Sequence, residues 1–150
     1  RDTSVTGVQT CALPIFWVKG ERFNILDDSY NSNPRALSAA IDVLCFEKGE
    51  KWIVLGDMLE LGLNAQDLHD ESIIKMNESG VNRLFTIGSL SAKSSLHFER
   101  ISENFTDVND LISRLRALIR ASENKVSVLI KGSRAFNLDL VVEALKEANV

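Results

Sequence analysis

The chain has 150 residues, of which 45% are hydrophobic, and this length and composition indicate one domain with a core of its own. Its 17 basic and 21 acidic residues give a net charge of -4, which excludes an overall electrostatic attraction to nucleic acid or to an anionic membrane. No apolar run is long enough to cross a bilayer and no signal-peptide pattern opens the sequence, so we expect a cytoplasmic protein. Cys11 and Cys45 lie far apart and outside any C-x-x-C spacing, so they predict neither a zinc site nor a disulfide framework.

Residues 1–16 show neither strand alternation nor a helical period. They resemble a translated sequencing adapter, and the alternative interpretation is a linker from a preceding domain. In either case we expect residues 1–16 to be a non-native or linker tail and residues 17–150 to form the folded domain.

From residue 17 onward, apolar runs typical of buried strands alternate with segments of helical periodicity. This alternation predicts βαβ units and a mostly parallel sheet with right-handed crossovers. The predicted fold class is therefore α/β, a Rossmann-like three-layer domain with helices on both faces of the sheet. The predicted strands are residues 23–26, 51–55, 83–87, 98–101 and 126–130, and the predicted helices are residues 34–47, 65–79, 91–95, 108–119 and 138–145.

The segment DDSYNSNP, residues 27–34, joins the first predicted strand to the first predicted helix. Asn33 suits the N-cap, and Pro34 suits the first helical position, where a missing N–H loses no hydrogen bond. The carboxylates of Asp27 and Asp28 therefore lie at the carboxyl end of a strand and beside a helix N-terminus, where open α/β sheets bind nucleotides and other anionic ligands. Acidic side chains at such a place suit ribose hydroxyls or a metal ion better than phosphate.

Polar and glycine residues also follow the second and the last of the long predicted strands. We expect these loops to meet the first one, because the carboxyl ends of parallel strands share one edge of a sheet. Each residue alone has a structural interpretation as a turn, a cap or a solvated charge, but the loops together favour a ligand site. The candidate residues are Asp28, Tyr30, Asn31 and Asn33 in the first loop, Gly56, Asp57 and Glu60 in the second, and Lys131, Gly132, Ser133 and Arg134 in the last.

The sequence contains neither G-x-x-x-x-G-K-[ST] nor a G-x-G-x-x-G that follows a strand, so it lacks a phosphate-binding loop of its own. His69 and His97 are not spaced as metal ligands, and we interpret both as surface or capping residues. No serine lies in a G-x-S-x-G elbow. We therefore predict no catalytic residue and no metal ligand in this chain, and we expect it to be inactive alone.

Three segments of the chain resemble, in content and in order, the C-terminal domain of the Mur ligases. They are DDSYNSNP, then LGDMLELG at residues 55–62, then LIKGSRAFNLDLVVEAL at residues 129–145. They are most similar to the branch of the family that attaches D-alanyl-D-alanine to a UDP-N-acetylmuramoyl-tripeptide during peptidoglycan precursor synthesis. The resemblance runs from about residue 17 to the end and corresponds to the closing part of such an enzyme.

The resemblance implies an ATP-dependent peptide ligase whose ATP and Mg²⁺ are bound mainly by N-terminal and central domains that this sequence does not contain. It further implies that this domain closes over ATP and binds the acceptor dipeptide, with Asp28 at the ribose. Ala135 and Phe136 depart from the Gly-Met pair that commonly follows KGSR in the family. By this resemblance the nucleotide-binding residues are Asp28, Tyr30, Asn31 and Asn33, and the substrate-binding residues are Lys131, Ser133 and Arg134.

Two alternative hypotheses belong to other functional classes. Asp27, Asp28 and Lys131 are similar to the acids and the lysine of a phospho-receiver domain, which would make the chain a signalling module. A receiver's phosphate-accepting aspartate ends the third strand, but Ile87 and Gly88 stand there in this sequence. The other hypothesis, a non-catalytic scaffold domain, predicts no ligand at all.

Overall fold

The computed structural model describes residues 16–29 and 33–148 of the chain. Within these ranges no helix is long and apolar enough to cross a membrane. The strands are β1 (Phe16–Lys19), β2 (Phe23–Asp28), β3 (Glu50–Gly56), β4 (Arg83–Ile87), β5 (Ile101–Phe105) and β6 (Val126–Lys131). The α-helices are α1 (Pro34–Cys45), α2 (Ala65–Glu78), α3 (Ser89–Ser94), α4 (Val108–Ala121) and α5 (Leu138–Ala148), and short 3₁₀ turns cover Gly62–Asn64, Ser95–His97 and Arg134–Phe136.

The described strands form one six-stranded sheet in the order β1-β2-β6-β3-β4-β5. Only the pairing of β1 with β2 is antiparallel, and the other four pairings are parallel. The last strand in the sequence, β6, therefore lies between β2 and β3. This order brings the carboxyl ends of β2, β6 and β3 side by side, so the three predicted loops lie at one edge of the sheet.

Each face of the sheet is covered by helices, because residues along a buried strand alternate between two apolar layers. Ile25 of β2 belongs to the layer beneath α4 and α5, which includes Leu115 and Val141. Leu26 belongs to the opposite layer beneath α1 and α2, which includes Leu37 and Ile73. The three-layer α/β fold predicted from the sequence is confirmed.

Helix α1 begins at the residues that the sequence predicted. The Asn33 side chain accepts a hydrogen bond from the Ala36 N–H at 2.8 Å, and Pro34 is the first residue of the helix. The helix ends at Cys45, and the chain then turns at Gly49, whose φ is +86°. A Cβ at Gly49 would collide with the backbone carbonyl oxygen of Lys125, so only glycine lets the two loops meet there.

The structure departs from the sequence prediction at both edges of the sheet. The edge strand β5 is Ile101–Phe105 rather than residues 98–101, because Phe98 leaves the sheet and packs into the layer beneath α1 and α2. Strand β1 was not predicted, and its first residue, Phe16, had been assigned to the tail. The remaining tail residues, 1–15, lie outside the described part of the chain.

Candidate functional site

A buried ion pair joins the ends of two neighbouring strands at the candidate site. Asp28 and Lys131 are the last residues of β2 and β6 and lie opposite each other in the parallel register. The Lys131 Nζ donates a hydrogen bond to Asp28 Oδ2 at 2.6 Å, and the two side chains are 0% and 1% exposed. Such a short contact is typical of a charge-assisted hydrogen bond in surroundings without water.

The position of this pair follows from strand geometry. Alternate residues of a strand face the same side, so Asp28 continues the row of Leu26 and Lys131 continues the row of Leu129. Both leucines pack beneath α1 and α2, which places the ion pair on the face covered by α1. Burial lowers the pKa of Lys131 below its ordinary 10.5, while the charge and hydrogen bond of Asp28 oppose that shift.

Short-range hydrogen bonds fix the two described ends of the loop after β2. Asp27 Oδ1 accepts from the Ser29 N–H at 3.1 Å and from the Ser29 hydroxyl at 2.8 Å, which forms an Asx-type turn. Asn33 closes the same loop as the cap of α1. Two further predicted nucleotide-binding residues, Tyr30 and Asn31, lie outside the described residues.

Two glycines allow β6 and β3 to approach closely where both strands end. A Cβ at Gly132 would lie 2.9 Å from the backbone N and Cα of Gly56 and 2.6 Å from Leu138 Cδ1. Real Cβ atoms do not approach other atoms so closely, so a larger residue at Gly132 would push the backbones apart. The glycines of the LGDMLELG and KGSR motifs therefore set the shape of the candidate site.

The LGDMLELG loop also has a structural role that sequence reasoning missed. The Asp57 carboxylate accepts from the backbone N–H groups of Leu90 at 3.1 Å and Ser91 at 2.7 Å, which fixes the first turn of α3. The Asp57 side chain is thus engaged in both hydrogen bonds and only 4% exposed. A receiver domain needs an accessible aspartate to accept phosphate, so the burial of Asp57 disfavours the phospho-receiver hypothesis. No local sequence signal predicts this contact, because the partners are 33 and 34 residues away.

His69 is the second support of this loop. Its Nε2 accepts from the Met58 N–H at 2.9 Å, while its Nδ1 lies 2.7 Å from the Ala65 carbonyl oxygen. The ring is therefore hydrogen-bonded at both nitrogens, with Nδ1 as the donor to the carbonyl oxygen when Nε2 accepts. His69 is 0% exposed, so it is a buried structural residue rather than the surface or capping residue expected from the sequence. His97 lies on the surface, with its Nε2 3.6 Å from Asp70 Oδ1.

The predicted dipeptide-binding residues differ in their exposure and hydrogen bonding. The Ser133 hydroxyl accepts from the Ala135 N–H at 3.1 Å and begins the turn Arg134–Phe136. Ser133 is 9% exposed and Arg134 is exposed on the surface, whereas Lys131 is enclosed in the ion pair. The structure therefore brings Lys131 to Asp28, although the family resemblance assigns the two residues to different substrates.

A cavity of about 430 Å³ opens beside this turn at the carboxyl ends of β4 and β5. It is lined by Ala135 and Phe136, the two positions that depart from the family pattern, and by Asn104 of β5. The Asn104 Oδ1 accepts from the hydroxyls of Thr86 and Ser95 at 2.6 and 3.1 Å.

Among the described residues, no group of three or more His, Cys, Asp or Glu side chains is arranged to hold a metal ion.

Known proteins resemble this chain along most of its length. The UDP-N-acetylmuramoyl-tripeptide–D-alanyl-D-alanine ligase of Escherichia coli K12 is 37% identical over 82% of this chain and 27% of its own length. The enzyme of the same name from Haemophilus influenzae is 36% identical over 87% of this chain and 30% of its own length. The chain thus spans less than a third of either relative.

Solved structures show the same architecture. MurF from Acinetobacter baumannii superimposes with a TM-score of 0.77 at 25% identity, over 88% of this chain and 30% of that one. MurF ligase from Thermotoga maritima in complex with ADP superimposes with a TM-score of 0.74 at 24% identity, over 87% of this chain and 30% of that one. The family described as Mur ligase, glutamate ligase domain, matches residues 16–134. The chain therefore belongs to the Mur ligase family and contains its glutamate ligase domain.

Proposed function

We propose that this chain is the C-terminal domain of an ATP-dependent ligase that adds D-alanyl-D-alanine to a UDP-N-acetylmuramoyl-tripeptide. The observation that carries the proposal is the convergence of the three motif loops at the carboxyl ends of β2, β3 and β6. The names of the relatives supply the substrates. The proposed partners within the same polypeptide are the N-terminal and central domains, and the proposed location is the cytoplasm.

The proposed nucleotide site lies at the loop between β2 and α1. We assign the ATP ribose to Asp28, and the surrounding contacts to Tyr30, Asn31 and Asn33. Since Asn33 Oδ1 caps α1, a nucleotide contact by this residue would use its Nδ2 group. Asp28 is 1% exposed, so a ribose hydroxyl reaches its carboxylate only when a local movement opens a path to that side chain. We propose that this opening accompanies nucleotide binding.

The proposed acceptor site lies at the loop between β6 and α5. Arg134 is an exposed residue, and its planar guanidinium suits the dipeptide carboxylate because its donors match the two carboxylate oxygens. Ser133 adds a hydroxyl at the same turn. The family resemblance also assigns Lys131 to this site, but its side chain is 0% exposed and hydrogen-bonded to Asp28. By holding the dipeptide amine near its target, the domain would accelerate peptide-bond formation through positioning.

ATP and Mg²⁺ would activate the tripeptide carboxylate as an acyl phosphate, with both bound mainly by the other two domains. The isolated chain is accordingly expected to be inactive.

The two halves of the site can be tested by kinetics in a fused enzyme that joins this chain to the first two domains of the Escherichia coli relative. Asp28→Ala should raise KM for ATP, and Arg134→Ala should raise KM for D-alanyl-D-alanine. Charged hydrogen bonds contribute about 1.5–3 kcal/mol, so each change should lower kcat/KM for its own substrate on the order of tenfold to a hundredfold. Equal weakening of both substrates by both variants would contradict the residue assignment.

A further inference from the structure

The ammonium group of Lys131 is buried and bonded to Asp28 in this structure. Its side chain is 0% exposed, and its Nζ donates to Asp28 at 2.6 Å. To bind Lys131, the carboxylate of the dipeptide would have to displace Asp28, which is already bonded to the ammonium group and buried. The exposed cation at the same loop is Arg134 rather than Lys131.

We propose that Lys131 is a positioning residue that acts through Asp28 to hold the end of β2 at the proposed ribose site, and that it serves ATP rather than the dipeptide. The inference rests on the proposed function for its substrate, but the contact itself is observed. Because Asp28 is the last residue of β2, fixing its carboxylate fixes the point from which the loop to α1 departs. Asp27 and Ser29 flank that point and are bonded to each other, so a displaced Asp28 would disturb the turn.

The Lys131–Asp28 pair joins two strands that are neighbours in the sheet but distant in the sequence. Residues 28 and 131 are 103 positions apart, and no backbone segment joins β2 to β6 directly. The ion pair joins the two strand ends through side chains at opposite positions of the parallel register. It lies on the face of the sheet that α1 covers. An ionised carboxylate has about four acceptor sites, so the bond from Lys131 is compatible with a further bond from a ribose hydroxyl.

The positioning role can be tested on the 150-residue chain by hydrogen exchange of individual amides. Lys131→Met should speed exchange in residues 27–29 and 33–37 by more than its loss of global stability explains, while residues 133–138 should change only by that global amount. Lys131→Gln, which keeps a donor without the charge, should show a smaller change in the same region. The matched control is Lys125→Met, which removes an exposed lysine next to the other end of β6. An excess over the global change that is confined to residues 133–138, or no excess in residues 27–29 and 33–37 in either Lys131 variant, would overturn the proposal.

The kinetic consequence can be measured in the fused enzyme. Lys131→Met should raise KM for ATP on the order of tenfold and leave KM for D-alanyl-D-alanine unchanged. In an Asp28→Asn background the same substitution should have little further effect, because its route to the nucleotide has already been cut. A selective rise in KM for the dipeptide, or an undiminished effect in that background, would overturn the proposal. The exchange measurement needs no activity, so failure of the positioning role is distinguishable from failure of the proposed function.

Discussion

The carboxylate of Asp57 occupies the space that a side chain at Gly88 would need. Gly88 has a φ of +117°, and a Cβ built there would collide with the Asp57 carboxylate. The same carboxylate accepts from the backbone N–H groups of Leu90 and Ser91. The end of β3 and the start of α3 therefore pack closely together. This contact fixes the LGDMLELG loop beside the candidate site.

The first prediction concerns this fit. Gly88→Ala should lower the free energy of unfolding by about 2–4 kcal/mol, because it adds a collision to the strain of a positive φ. Gly80→Ala is the matched control, since Gly80 has a φ of +77° but nothing within 4 Å of its Cβ position. That control should lose only about 1–2 kcal/mol from backbone strain. Urea unfolding followed by circular dichroism measures both, and equal losses would contradict the packing described.

A second prediction concerns the contact between Gly132 and Gly56. Gly132→Ala should destabilise the domain by about 1–3 kcal/mol, the usual cost of overpacking, because its Cβ would press on backbone atoms of Gly56. Gly56→Ala should cost less, since its nearest contacts are 3.2–3.5 Å away. The test is the order of the two midpoints in urea. A Gly56 variant that is less stable than the Gly132 variant would show that the two strand ends are packed differently.

The third prediction concerns the stability of the buried ion pair. Lys131→Met removes the cationic partner of the buried Asp28 carboxylate and should lower the free energy of unfolding by about 3–5 kcal/mol at pH 7. The exposed Lys125→Met control should change it by less than about 0.5 kcal/mol. Changing Asp28 to Asn together with Lys131 to Met removes both charges and should recover part of the loss. A Lys131 variant as stable as the control would mean that the pair is not buried in solution.

The fourth prediction concerns pH. Burial lowers the pKa of Lys131 in the folded state below its ordinary 10.5, so the unfolded chain holds this proton to higher pH than the folded chain does. Stability rises with pH wherever the unfolded state binds more protons. The difference in unfolding free energy between the natural chain and Lys131→Met should therefore grow as the pH rises from neutral toward 10.5. Denaturant titrations at a series of pH values test the sign, and a shrinking difference would show that the carboxylate outweighs burial.

A fifth prediction separates the two histidines. His69→Ala should cost about 1–3 kcal/mol, because the buried Met58 N–H loses its acceptor. His69→Gln should recover part of this by offering an amide oxygen. His97→Ala removes a side chain that is 54% exposed and should change stability by less than about 0.5 kcal/mol. Similar losses in the two alanine variants, compared by thermal melting, would argue against a supporting role for His69.

The interior of the sheet could be predicted from the sequence, and its edges could not. Strands such as β6 are buried on both faces and appear as continuous apolar runs, which the residues alone reveal. The edge strand β5 has the sequence ISENF and is largely polar, so the apolar Phe98 drew the predicted strand away from it. Strand β1 contains only four residues and adjoined a segment without a regular pattern.

The composition of the candidate site was predictable for a different reason from its internal contacts. Motif loops after parallel strands must meet at one edge, so Asp28 and Ser133 could be placed in one region from the parallel direction of their strands. Which side chains touch depends on packing between distant segments. The bond from Lys131 to Asp28 and the fit of Asp57 to Gly88 each join residues that no local pattern connects.

We propose that this domain belongs to a ligase that adds D-alanyl-D-alanine to a UDP-N-acetylmuramoyl-tripeptide. The most direct measurement is mass spectrometry of the product formed by the fused enzyme from ATP, Mg²⁺, a UDP-N-acetylmuramoyl-tripeptide and D-alanyl-D-alanine. We expect the tripeptide to gain the dipeptide, with one phosphate released for each bond formed, and the isolated chain to form no product. Phosphate release without addition of the dipeptide, or equal addition of D-glutamate in its place, would contradict the claim.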